Sequence, residues 1–356
     1  MYESSLTAAH RARGVALSPF KGALLPEAFG PLADEVAAAS GGAALADLGW
    51  LGHVRASGRH RQRFLHAMCT CQVKTLTAGD GNFGMVLDGK GKLVAQFVVD
   101  AEAEALRLEL GREDAERTVA QLLRYKVADL VDFAVEPGRA VLALVGPKAA
   151  DVLSAAGLGA LPGDAAFAFV DTTLGEIAAR VRRTAHRLGL AGFDVTVAAE
   201  DAVAAWSALE GAGATPVGGR AWDALRVRSG SPIDGVDVDD TNVPLEAPRL
   251  AEYLDWNKGC YLGQEVVCMM NDRGQPPRLL RGLALPGGAP LAPGTELLSA
   301  PDGGKAVARL GTIAELPGHA APVALAVVKR KHAAPGTELY LPDGQVATVL
   351  ELPLGA

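Results

Sequence analysis

The sequence predicts an α+β fold: two split β-α-β, ferredoxin-like units followed by a small β-barrel. Three observations carry this. Period-two and period-3.6 apolar patterns alternate through residues 57–211. The order strand, strand, helix, strand runs through that stretch twice. From Arg278 onward the helical period is lost, and short apolar runs are separated by Pro and Gly turns.

The elements follow in order. Ser57 suits the N-cap of a helix with Phe64, Leu65 and Met68 on one face and Arg59, Arg61 and Arg63 toward water. Phe83–Leu87 and Leu93–Val99 flank Asp88-Gly89-Lys90-Gly91-Lys92, a hairpin signal. Leu106, Leu108 and Leu110 alternate with Arg107 and Glu109, as in a half-buried strand. A helix carrying Ala115, Val119, Leu122 and Leu123 comes next, then a strand at Ala140–Val145 and a helix opened by Gly146-Pro147. Ile177–Val181 and Phe193–Val197 read as strands. Asp201–Gly211 reads as a helix with Val203, Trp206 and Leu209 inward.

The barrel has an internal echo. Ala292-Pro293-Gly294-Thr295-Glu296-Leu297 recurs as Ala334-Pro335-Gly336-Thr337-Glu338-Leu339, and each copy is followed by a Pro-Asp-Gly turn, at Pro301 and Pro342. Two copies are too few for a solenoid, so two similar hairpins are expected. Pro276-Pro277 marks the change of character. The expected organisation is a body at 1–275, divided near 145, and a barrel at 276–356.

Composition excludes several classes. With 356 residues, 34 basic and 41 acidic side chains and a net charge of −7, this is not a nucleic-acid-coating protein, although a local basic pocket for a small anion is allowed. No run approaches the roughly 18 apolar residues of a membrane helix. Met1–Arg13, with Glu3, His10, Arg11 and Arg13, lacks the apolar core of a secretion signal. The four cysteines, Cys69, Cys71, Cys260 and Cys268, form no disulfide framework, and a cytoplasmic location is expected.

The densest chemical signal is Trp256-Asn257-Lys258-Gly259-Cys260-Tyr261-Leu262-Gly263-Gln264-Glu265. Gly259 and Gly263 permit tight turns and close approach to a ligand. Lys258 lies two positions before Cys260, where an ammonium would favour the reactive thiolate. Gln264 and Glu265 add an amide and a carboxylate. The plainer alternative is a glycine-rich connection whose cysteine is merely packed.

Lys-Gly-Cys-Tyr-x-Gly-Gln-Glu at 258–265 resembles the signature of the YgfZ family, relatives of the glycine-cleavage T-protein. Gly230-Ser231-Pro232, Gly235-Val236-Asp237 and Pro244-Leu245-Glu246-Ala247 resemble that family's approach to the motif. Arg273-Gly274-Gln275 and Arg278 resemble its continuation, and Phe64–Val99 resembles its first domain. The resemblance implies two intertwined α+β subdomains and a C-terminal β-barrel in a T-protein-like ring around a central hole. It also implies a tetrahydrofolate-type pocket and a role in iron–sulfur cluster assembly or repair, with iron–sulfur enzymes or assembly factors as partners. Cys260 would act, with Lys258 beside it. Gly259, Tyr261, Gly263, Gln264, Glu265, Arg226, Arg228 and Arg273 would line the ligand. A small anionic ligand is expected, with no direct nucleic acid, no membrane and no permanently bound metal; any link to tRNA modification would run through a client enzyme.

Three departures from the family bear on chemistry. The T-protein carries a pair of carboxylates on the strand after its first hairpin, where this chain reads Leu93-Val94-Ala95-Gln96-Phe97. Ala95 and Gln96 cannot serve as a catalytic acid or base, which argues against aminomethyl transfer. Where relatives read Arg-hydrophobic-Glu-Ala-Gly, this chain has Arg226-Val227-Arg228-Ser229-Gly230. A guanidinium has only donors and opposes the pterin's amino and N–H donors, so folate binding is expected to be altered. The family's arginine after the Gln-Glu pair is also missing, replaced near Cys268-Met269-Met270.

The remaining candidates are weaker. Cys69 or Cys71 could join Cys260 around a metal, but Cys-x-Cys with two distant cysteines is no recognised ligand spacing, and buried thiols are the simpler expectation. His60 and His66 read as part of a solvated basic helix face. Asp237, Asp239 and Asp240 read as a polar loop, and Gly146-Pro147-Lys148 is not a P-loop. The leading expectation is therefore a folate-type-ligand-binding accessory protein of iron–sulfur metabolism. A folate-dependent aminomethyltransferase is the alternative, and a scaffold with an altered pocket is a third reading.

Overall fold

In the computed structural model residues 1–272, 274–287 and 291–355 are described. The chain forms two compact units. The first comprises Met1–Val86, Ala95–Trp222 and Asn257–Tyr261, the second Leu87–Val94, Asp223–Trp256 and Leu262–Ala356.

The first unit is built on two mostly antiparallel sheets. One has five strands in the order Gly81–Leu87, Leu93–Ala101, Ala105–Gly111, Leu51–Ser57, Asp132–Glu136. The other has six, in the order Phe169–Leu174, Ile177–Thr184, Gly192–Ala198, Arg139–Val145, Ala44–Asp47, Thr215–Pro216. The chain changes sheet twice: Ala44–Asp47 pairs with Arg139–Val145 although the whole five-stranded sheet lies between them in sequence. The two α+β units are thereby interwoven. Helices Ala149–Ala155 and Ala202–Gly211 cover the six-stranded sheet through Leu153, Trp206 and Leu209.

The second unit holds a closed six-stranded barrel, Arg278–Ala284, Val323–Lys329, Ala306–Ala314, Glu296–Leu298, Glu338–Tyr340, Val346–Leu350. The repeated hexapeptide builds the same turn twice. Gly294 and Gly336 donate to Leu310 and Val349 carbonyls, and those residues return bonds to the carbonyls of Thr295 and Thr337. Leu297 and Leu339 are both fully buried, and the two short strands meet at Leu298 and Tyr340.

Local expectations needed correction where tertiary packing decides. Ser57 ends a strand rather than capping a helix; the helix runs Arg61–Met68 from His60. Arg107 and Glu109 do not face water but are buried, because ionic partners cover that side of the strand. Val203 is 45% exposed instead of inward. In an alanine-rich helix the apolar face is poorly marked, and Trp206 and Leu209 set it instead. No helix among the described residues is long and apolar enough to cross a membrane.

Candidate functional site

In the first unit, Asn257–Tyr261 packs on the end of the Arg61–Met68 helix. A helix leaves its last carbonyls without intrahelical partners and carries partial negative charge there. The buried Lys258 ammonium answers both conditions: it donates to the carbonyls of His66 and, at 2.7 Å, of Cys69. The His66 ring returns the contact. Its Nδ1 accepts from the Val73 N–H at 3.3 Å, which leaves Nε2–H to donate to the Lys258 carbonyl at 2.8 Å. His66 is thus a clamp for the loop, not a solvated residue, and His60 likewise accepts from the Leu130 N–H. Tyr261 is buried, with the Lys258 ammonium 5.0 Å from its ring centroid. Between them Gly259 takes φ +91°, a left-handed conformation that L side chains rarely adopt. This arrangement leaves Cys260 exposed.

Cys69 and Cys71 are fully buried with their sulfurs 3.8 Å apart. Burial opposes ionisation at Cys69, but the hydrogen bond from Cys71 and the nearby Lys258 charge outweigh it and lower its pKa. Cys71 is pushed well up by that same hydrogen bond and by burial. The charge of Lys258 is therefore felt at Cys69. Cys268 is half-buried. Among the described residues, no group of three or more His, Cys, Asp and Glu side chains could hold a metal ion.

A second cluster in this unit was not anticipated from sequence. Arg182, buried, donates to Asp100 at 3.1 Å, to Asp194 at 2.8 Å and to Glu109. Arg187 also reaches Glu109 and Asp194, at 2.6 and 3.0 Å, and His53 Nε2 lies 3.4 Å from Glu109. Strand register brings these groups together, setting Arg182 opposite Asp194 and His53 opposite Glu109. Burial works against the Glu109 charge, yet Arg182, His53 and Arg187 hold its pKa well below the usual carboxylate range. The available signal was charge at period two, as in Arg180-x-Arg182 and Arg107-x-Glu109, which mimics a solvent-facing edge. On the neighbouring Leu93–Ala101 strand, Ala95 is fully buried, and the amide nitrogen of Gln96 is buried without a hydrogen-bond partner.

In the second unit, Gly263 takes φ +81° and lies so close to the hairpin loop that a Cβ would sit 2.6 Å from the Asp88 carbonyl oxygen. Gln264 then opens the helix Gln264–Asp272, half-buried, with Glu265 exposed in its first turn. Arg226 is buried and uses all five N–H donors on protein: twice on Asp223, once each on Asp237, Ser231 O and Thr312. It has none left for a ligand. Arg228, two residues on, is half-buried, and its guanidinium has no hydrogen bond or ion pair among the described residues. Arg273 lies outside the described residues.

The GCVT N-terminal domain pattern matches residues 6–258. This chain belongs to the GCVT family. It is 28% identical to an aminomethyltransferase of Streptomyces coelicolor over 94% of this chain and 91% of that protein. It is 30% identical to one from Rubrobacter xylanophilus over 81% and 78%. The crystal structure of the glycine cleavage system aminomethyltransferase T from Bartonella henselae shares its fold, with a TM-score of 0.85, 22% identity, and coverage of 99% of this chain and 97% of that one. These similarities establish a T-protein-like relationship.

Proposed function

We propose that this GCVT-family chain binds a tetrahydrofolate-type ligand and works as an aminomethyltransferase-like one-carbon protein. The observation that carries the proposal is similarity to aminomethyltransferases over nine-tenths or more of both chains. The residues fit such a ligand in part. The orphaned Gln96 amide donor is suited to a ring carbonyl. They do not fit the usual transfer chemistry, because Leu93–Phe97 offers no carboxylate, and Asp100 and Glu109 are committed to Arg180, Arg182 and Arg187. Titration of the purified chain with tetrahydrofolate, read by calorimetry, tests the reading: saturable one-to-one binding supports it, and no binding up to millimolar ligand overturns it.

One observation favours a second reading. Cys260 is exposed on a loop that a buried lysine and a histidine hold in place, while the one-carbon strand lacks its acid. That combination supports an accessory role of the YgfZ type, in which the thiol acts in iron–sulfur cluster assembly or repair with iron–sulfur enzymes or assembly factors as partners. Cys260→Ala, tested for rescue of iron–sulfur enzyme activity in a deletion strain, decides this. Loss of rescue supports the thiol role and full rescue removes it.

A further inference from the structure

The second unit carries a cleft of about 820 Å3 whose lining is dominated by cations. Five lining residues are positively charged: Lys92, Arg278 and the run Lys329-Arg330-Lys331. One, Glu246, is negative. The Glu246 charge is spent internally, since Arg278 donates to both of its oxygens at 2.9 Å. Lys92 and Lys329 bond at 2.7 Å to the carbonyls of Thr241 and Ala306, neutral acceptors that orient the ammonium groups without cancelling their charge. The side chains of Arg330, half-buried, and Lys331, exposed, have no hydrogen bond or ion pair among the described residues.

Four uncompensated cations around one cleft run against the rest of a chain whose net charge is −7. Like charges held together destabilise the fold, and a bound anion relieves that repulsion. The local field is felt by the next residue: burial, Lys331 and Lys329 together hold the His332 imidazole below its ordinary pKa. Size narrows the class, because a cleft of this volume falls in the roughly 300–1,000 Å3 range of small-molecule sites. Arg330 offers a planar fork for an oxoanion, and Lys331 a mobile point charge.

We propose that this cleft binds a small, multiply charged anion bearing clustered phosphate or carboxylate groups. Arg330 and Lys331 contact it directly, Lys92 and Lys329 supply field, and Gln275 offers a neutral hydrogen-bonding group. The site is independent of the folate reading.

Calorimetry on the full chain at low salt, with tripolyphosphate in one arm and citrate in the other, tests the proposal and distinguishes the two sources of charge. Saturable one-to-one binding of either anion is expected. The charge reversal Arg330→Glu with Lys331→Glu should weaken it at least ~10-fold, and Lys331→Ala alone ~3-fold, at unchanged circular dichroism. A control reversal at two exposed arginines elsewhere, Arg59→Glu with Arg124→Glu, should bind within ~2-fold of wild type. Absence of saturable binding in both arms, wild-type binding by the Arg330/Lys331 variant, or an equal loss in the control would each overturn it.

Discussion

The Lys258 ammonium donates to the carbonyl oxygen of Cys69 at 2.7 Å, and so closes the end of a helix 189 residues earlier in the chain. One side chain thereby fixes both the last turn of Arg61–Met68 and the backbone that presents Cys260. The Cys260 loop is held by charge and hydrogen bonding as much as by burial.

Lys258→Met should lower stability by about 2–4 kcal/mol in urea unfolding, because two charge-assisted bonds to buried carbonyls are lost. Lys258→Arg should recover little, since a planar fork does not fit a site built for a compact ammonium. A loss below about 0.5 kcal/mol for Lys258→Met would show that the loop is held by other contacts.

Thiol chemistry should separate the four cysteines. Iodoacetamide added to the native protein, with sites read by mass spectrometry, should modify Cys260 first and Cys268 more slowly. Cys69 and Cys71, fully buried, should react only at the rate of opening, at least ~100-fold slower than Cys260. Denaturant should equalise all four. Early labelling of Cys69 would contradict the closed arrangement under Lys258.

Legibility in the sequence followed locality. The Asp88–Lys92 hairpin and the twice-used Ala-Pro-Gly-Thr-Glu-Leu turn are set by neighbouring residues, so pattern alone placed them. The Cys260 loop was conspicuous for its composition, but the target of Lys258 was not legible, because its acceptors lie 192 and 189 residues away. Arg107 and Glu109 looked solvent-facing because a strand's own sequence does not reveal the ionic partners that will cover it. Arg226 and Arg228 both read as ligand-lining, and only packing separates the buried, fully bonded Arg226 from Arg228, whose guanidinium has no bond among the described residues.

Arg182→Met should destabilise the protein by about 3–5 kcal/mol, since it leaves Asp100, Glu109 and Asp194 buried with too little positive charge. Arg182→Lys should recover only part of this, as an ammonium cannot reach three carboxylates with a fork. Thermal or urea unfolding reads the difference. A change under about 1 kcal/mol would mean that Arg187 and His53 suffice.

The same cluster sets the acid response. The pKa of Glu109 is depressed in the folded state, so its stabilisation is fully present above its unfolded value of about 4.3 and is lost as pH falls through the lower folded value. Urea midpoints should therefore be nearly flat between about pH 6 and 8 with respect to this group, and fall below about pH 4. Glu109→Gln should be less stable at neutral pH and show a shallower acid slope. An unchanged slope would place the acid sensitivity elsewhere.

Arg226 and Arg228 lie two residues apart on one helix and should respond very unequally to substitution. Arg226→Met removes five hydrogen bonds and strands the buried Asp237, so a loss of about 3–5 kcal/mol is expected in urea unfolding. Arg228→Met, with no partner to strand, should change stability by less than about 1 kcal/mol. Under the proposed folate reading its effect falls on the ligand instead. A pterin presents an amino group and a ring N–H, both donors, which a guanidinium opposes and a carboxylate accepts. Arg228→Glu should therefore tighten tetrahydrofolate binding by roughly tenfold, the equivalent of about one charge-assisted hydrogen bond, while leaving the fold intact by circular dichroism. Unchanged or weaker binding in that variant would mean that Arg228 holds the anionic end of the ligand, or no part of it.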